Sequence, residues 1–140
     1  LFRSVMGDRR RVVQVILNLV ANAAKYNRTG TMVRLACRQI GPQVRVEVED
    51  DGPGIDAADV SRLFTPFDRL GQRNRTKVEG TGLGLALSKQ LIESMGGHIG
   101  FDAAPQGALF WFDLPQPSPT RLPDVRLGRD EPPATESTTA

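Results

Sequence analysis

The sequence predicts an α+β fold, a two-layer α/β sandwich whose mixed sheet is covered by helices on one face. Three observations lead there. Segments 9–26 and 82–95 repeat apolar residues at helical spacing, and segments near 32–38, 44–49, 98–103 and 108–114 alternate with a period of two. Their order is helix, two strands, short helix, long loop, helix, two strands. With 140 residues, 39% apolar and 24% charged, the chain has room for one such core.

Asp8 is an N-cap candidate for the first helix, which carries Val12, Val13, Ile16, Leu17, Leu19, Val20, Ala23 and Ala24 on a broad apolar side. Arg11, Gln14, Asn18, Asn22 and Lys25 recur at steps of three and four and form a polar stripe, expected on the opposite side. Val33, Leu35 and Cys37 then alternate with polar or small residues. After Gly41-Pro42, Val44, Val46 and Val48 do the same, which predicts two antiparallel strands and a tight turn. The second strand delivers Asp50 to a glycine-rich loop, Gly52-Pro53-Gly54, and Asp56 is placed to cap a short helix running to about Phe64.

Residues 68–80 lack apolar periodicity and read as a long loop of the lid type. The second long helix, Gly82 to Met95, turns Leu83, Ala86, Leu87, Leu91 and Met95 to one side and stops at Gly96-Gly97. Gln106-Gly107 separates the last two strands, and residues 2–6 leave room for an additional edge strand.

Six of the ten prolines fall between Pro115 and Pro133, where large apolar side chains are scarce. Such a stretch cannot bury enough surface to offset the entropy of ordering, so residues 1–115 read as the domain and 116–140 as a disordered tail or linker. Because the sequence opens on Leu1, it reads as an internal fragment with a shortened N-terminal edge.

Cys37 is the single cysteine, which excludes an intrachain disulfide and a thiolate metal cluster and fits a reducing, cytoplasmic setting. No run approaches the roughly 18 apolar residues of a membrane span, so no membrane contact is expected from this fragment, with room for an anchor upstream. The net charge is +2, but Arg9 to Arg11 and the group Arg69, Arg73, Arg75 and Lys77 are locally basic, which suits an anionic ligand. A broad basic face interleaved with aromatics is missing, which argues against nucleic acid.

Three constellations bear on chemistry. In the stripe Asn18, Asn22, Lys25, a carboxamide oxygen can ligate Mg²⁺ without repelling phosphate, and a lysine one turn on can pair with that phosphate. The same stripe alone is also compatible with a solvated helix face. At the strand end, Asp50 can accept a hydrogen bond from a base amino group while Gly52 and Gly54 let a planar ring approach the backbone. In isolation the motif equally suits a capped turn. Gly80, Thr81, Gly82, Leu83, Gly84, Leu85 runs alternating glycines into a helix, where backbone N–H groups and the helix dipole favour an anion. Neither the Walker A spacing nor G-x-G-x-x-G is met.

In this order the motifs resemble the ATP-binding catalytic domain of sensor histidine kinases, a branch of the ATPase group that includes gyrase, the Hsp90 chaperones and the mismatch-repair MutL proteins. QVILNLVANAAKYN (14–27) looks like the N box, DDGPGI (50–55) the G1 box, LFTPFDRLG (63–71) the F box and GTGLGLALSK (80–89) the G2 box. The resemblance covers about 7–114, closing on FWFDLP. It implies the Bergerat ATP-binding fold, ATP and Mg²⁺ as ligands, and transfer of the γ-phosphoryl group to a histidine on a separate dimerisation domain upstream, which then serves a response regulator.

By the same resemblance Asn22 is the Mg²⁺ ligand, Asn18 supports that site, and Lys25 contacts phosphate. Tyr26, Ile55 and Phe67 line the nucleotide pocket, Asp50 binds the adenine amino group, and Gly52 and Gly54 shape the adenine loop. Gly80, Thr81, Gly82, Leu83, Gly84 and Leu85 bound the triphosphate, and Arg69 reaches the γ-phosphate. Hydrolysing relatives carry a glutamate one turn before the metal-binding asparagine. Here that position is Asn18, which cannot act as a base, so slow hydrolysis is expected. His98, the only histidine, starts a predicted strand without an acceptor-type helix around it and reads as structural or exposed. Two other readings remain: a Ser/Thr kinase of the anti-sigma type, against which the F box and long lid argue, and a non-catalytic ATP-binding module.

Overall fold

The computed structural model describes residues 7–25, 32–67 and 83–117. Helix α1 (Arg9–Lys25) leads to strands β1 (Val33–Ile40) and β2 (Gln43–Asp50). The single-turn α2 (Ala57–Val60), helix α3 (Gly84–Ser94) and strands β3 (His98–Ala103) and β4 (Ala108–Pro115) follow. The additional strand expected at 2–6, the lid at 68–80 and the tail beyond Pro117 lie outside the described residues.

The sheet has the order β1-β2-β4-β3, and all three described pairings are antiparallel, where the sequence predicted a mixed sheet. Topology explains the difference. The helical connection brings β3 back parallel to β2, but β4 hairpins from β3 into the space between them, so the two parallel strands never share a ladder.

One face of the sheet carries Val44, Val46, Val48 and Asp50 from β2 beside Leu114, Phe112, Phe110 and Ala108 from β4. These are even-numbered positions, so the alternation read from the sequence selects the helix-covered face. Packed on them are Val15, Leu19 and Ala23 of α1, Ile92 of α3 and Leu63 from the turns after α2. Phe112, Leu19, Ile92 and Leu114 are almost fully enclosed.

Two helix faces differ from expectation. On α1 the buried line is Val15, Leu19, Ala23, while Val13 (47% exposed) and Leu17 (62% exposed) face outward. The apolar arc is wider than the surface that covers it, and the polar stripe flanks the buried line instead of opposing it: Arg11 and Asn18 both reach α3. On α3 the buried positions are Ala86, Ser88 and Ile92, with Leu87 exposed.

Helix ends follow local chemistry. The Asp8 carboxylate accepts the Arg10 N–H at 2.8 Å, capping α1. Gly96, at φ +77°, ends α3: its N–H and that of Gly97 return to the carbonyls of Glu93 and Ile92. Asp56 precedes α2 without a side-chain cap bond, and the helix expected to reach Phe64 dissolves after one turn into short-range turns closed by Leu63 N–H to Val60 O and Thr65 N–H to Arg62 O.

The other sheet face is polar. Arg45 makes a two-pronged ion pair with Asp113 at 2.7 Å and lies 3.9 Å over the Trp111 ring, under which Gly100 leaves space for the indole. Hydrogen bonding to Asp113 raises the Arg45 pKa above its already high value, so the guanidinium stays charged wherever the protein is folded.

Candidate functional site at one end of the sandwich

The two long helices run antiparallel. Arg11, near the start of α1, bonds Ser94 at the end of α3 (3.3 Å), and Asn18 further along α1 meets Gly84 and Ser88 at the start of α3. The next turns of α1, bearing Asn22 and Lys25, therefore pass the N-terminus of α3. Since α3 hands over to β3 at the sheet end that holds His98 and Pro115, its N-terminus points to the opposite end. Asp50 finishes β2 at that opposite end, on the helix-covered face. The end of α1, the start of α3 and the end of β2 thus converge.

Asp50 is 9% exposed, and one carboxylate oxygen accepts the Gly52 N–H at 3.0 Å. That bond closes the turn and holds the carboxylate in a fixed direction with its second oxygen available as an acceptor. Asp51 looks the other way and accepts the Met32 N–H at 2.8 Å, tying the same loop to the start of β1.

The loop is clamped by backbone. Gly54 has φ +73°, and a Cβ there would come within 3.0 Å of the Gly107 carbonyl oxygen. Gly107, at φ +87°, lies so close to Asp50 that an added Cβ would overlap the Asp50 carbonyl. Sequence reasoning singled out Gly52 and Gly54 but not Gly107. Its only sequence signal is a glycine in the last hairpin, and its importance comes from a strand distant along the chain.

Gly84 has a different reason to be glycine. Among the described residues an added Cβ would meet just the Asn18 amide carbon, at 3.9 Å, which is ordinary contact. Glycine in the first turn of a helix costs up to about 1 kcal/mol against alanine, and packing among the described residues does not demand it here. Backbone left uncovered by described side chains at a helix start suits the close approach of a ligand.

The Asn18 nitrogen donates to Gly84 O (3.4 Å) and Ser88 Oγ (3.2 Å). Ser88 is fully buried and was also missed from the sequence, although a hydroxyl among the apolar positions of α3 was a signal. Asn22 and Lys25 are half-buried, and Gly52 likewise. Ile55 and Leu85 pack against the core, and half-buried Leu83 stands at the N-cap position of α3. Phe67 is not gathered with them: its ring is 75% exposed and its backbone has φ 61°, a left-handed conformation uncommon for a bulky residue. Tyr26, Arg69, Gly80, Thr81 and Gly82 lie outside the described residues.

Among the described residues no group of three or more His, Cys, Asp or Glu side chains could hold a metal. A depression of about 260 Å³ bounded by Arg34, Glu49, Asp51 and Gln106 also reaches Asp50, but it opens beside the Arg34–Glu49 pair of the polar sheet face, away from Asn22. Among the described residues no helix is long and apolar enough to cross a membrane.

The family model described as histidine kinase-, DNA gyrase B-, and HSP90-like ATPase matches residues 7–118. The sensor protein GacS of Pseudomonas syringae pv. syringae is 39% identical over 133 residues, covering 91% of this chain and 14% of its own length. The sensor histidine kinase RcsC of Escherichia coli K12 is 43% identical over 110 residues, 78% of this chain and 12% of that protein. The chain thus spans about one seventh or less of these relatives. Among solved structures, the mycobacterial sensor histidine kinase MprB superposes with a TM-score of 0.71 at 32% identity, covering 80% of this chain and 76% of that one. Full-length ShkA in complex with AMPPNP gives 0.68 at 33% identity, covering 82% and 23%.

Proposed function

The chain belongs to the histidine kinase-, DNA gyrase B- and HSP90-like ATPase family, and from that premise we propose that it is the catalytic ATP-binding domain of a two-component sensor histidine kinase. Its reaction is transfer of the γ-phosphoryl group of Mg·ATP to a histidine imidazole on a separate dimerisation domain, which passes it to a response regulator. The observation that carries this reading is the convergence of Asp50, Asn22 with Lys25, and the Gly84 helix start at one end of the sandwich. A GacS-like sensor kinase as relative and an AMPPNP complex among similar structures support it.

In this reading the free oxygen of Asp50 accepts the adenine amino group, and the Gly52–Gly54 turn lets the base lie against backbone. Phosphates lie at the N-terminus of α3, where unpaired N–H groups and the helix dipole favour negative charge. Asn22 supplies a neutral oxygen to Mg²⁺, which when bound neutralises the phosphate oxygens, and Lys25 pairs with a phosphate. Tyr26, Arg69, Gly80, Thr81 and Gly82 keep the roles the family resemblance gives them, and the composition of residues 116–140 keeps the reading of a tail or linker.

Asn18 is spent on donating to α3 and has no basic nitrogen, so nothing at that turn takes a proton from water. Phosphoryl transfer then depends on an imidazole that is nucleophilic when neutral, and ATP alone is hydrolysed slowly.

The test is transfer in trans. The chain is mixed with the polypeptide bearing the upstream acceptor helix and γ-labelled ATP. An acid-labile, alkali-stable label on that polypeptide is the expected result. An acid-stable label would mark a hydroxyl acceptor, as in the anti-sigma type of kinase, and tight ATP binding with no transfer to any acceptor would mark a non-catalytic module.

A further inference from the structure

We propose that Ser88 is a positioning residue for the metal-binding turn of α1, acting through Asn18; this rests on the reading of Asn22 as the Mg²⁺ ligand. A carbonyl oxygen only accepts, so the 3.4 Å contact with Gly84 O requires the Asn18 nitrogen to face α3. The Ser88 hydroxyl takes the second N–H at 3.2 Å. With both contacts on nitrogen, the planar amide turns its oxygen away from α3, on the same flank of α1 as Asn22 one turn further on.

Burial makes this arrangement rigid. Ser88 is 0% exposed, so its hydroxyl has no competing bulk water, and leaving a buried polar group unpaired is costly. Without the hydroxyl, Asn18 keeps one weak anchor at Gly84 and its amide is free to rotate. The oxygen then no longer keeps a fixed direction on the flank of α1 that carries Asn22, the residue that would hold the metal.

The experiment compares the chain with Ser88→Ala, Asn18→Ala and the double variant by calorimetric titration with ATP, in Mg²⁺ and in EDTA. Circular dichroism melting checks that each variant is folded. Loss of one hydrogen bond of ordinary strength predicts that Ser88→Ala lowers the Mg²⁺ enhancement of affinity about three- to tenfold and leaves affinity in EDTA unchanged. In the Asn18→Ala background the same change has no further effect, and Ser88→Cys, which keeps a weak acceptor, falls between wild type and Ser88→Ala. Equal losses with and without Mg²⁺, or effects of the two substitutions that simply add, would overturn the positioning role and leave Ser88 a packing residue. Wild-type protein whose ATP affinity ignores Mg²⁺ would overturn the metal reading itself, and this role with it.

Discussion

Replacing Gly107 by alanine is expected to damage nucleotide recognition although Gly107 carries no side chain. At φ +87° alanine pays about 1–2 kcal/mol of backbone strain, and its Cβ overlaps the Asp50 carbonyl oxygen and crowds Asp51 Cα, 2.9 Å away. To restore contact distance the Asp50–Gly54 loop must retreat by on the order of 1 Å, a displacement large enough to break a well-aligned hydrogen bond. A bond to a charged acceptor contributes about 1.5–3 kcal/mol, which corresponds to roughly a ten- to hundredfold loss of ATP affinity. Calorimetry with ATP and GTP, on protein shown by circular dichroism to be folded, reads this out. The ATP preference over GTP falls with the affinity, and Tm falls by on the order of 5–10 °C. A variant with lowered Tm but wild-type ATP affinity and selectivity would refute the claim that Gly107 sets the Asp50 loop.

Asn22→Ala is expected to remove the Mg²⁺ enhancement of ATP binding while Tm holds or rises by a degree or two, since Asn22 lies off the buried line of α1 and alanine is the better helix former; titrations with and without Mg²⁺ and a melting curve check both halves. Asp50→Asn keeps an oxygen that can accept the Gly52 N–H, so the turn survives, but with a weaker acceptor for the base ATP affinity drops about tenfold and GTP affinity much less. Phe112→Ala, at a fully enclosed position, costs about 3–5 kcal/mol in urea unfolding without any specific loss in nucleotide selectivity of the remaining folded protein.

What the sequence made legible was what is local. The four strand positions follow from period-two alternation, and their turns from Gly41-Pro42 and Gln106-Gly107. Helix α1 began where Asp8 could cap it, and α3 stopped at Gly96. The strand order was not legible, because the insertion of β4 between β2 and β3 is decided by packing across the whole sheet. Nor were the helix faces: Val15 and Ile92 are fully buried, while Val13, Leu17 and Leu87 are exposed, because one apolar arc offers more residues than the neighbouring layer can cover.

The candidate site divides the same way. Asn18, Asn22, Lys25, Asp50, Gly54 and Gly84 stood out because their chemistry is unusual for their local context: amides inside a helix, a carboxylate at a strand end, a glycine in a first helical turn. Ser88 and Gly107 did not, since each draws its importance from a neighbour remote in sequence, Asn18 for one and Asp50 for the other. The role of Asn18 also needed coordinates, for only the Gly84 carbonyl reveals which way its amide points.

The most direct measurement is calorimetric titration of this chain with ATP and with GTP, each in Mg²⁺ and in EDTA. Saturable, adenine-selective binding that Mg²⁺ strengthens is the expected result of a nucleotide site built from Asp50, Asn22 and the start of α3. Binding that ignores both base and metal, or no binding by protein with a cooperative melting transition, would contradict it.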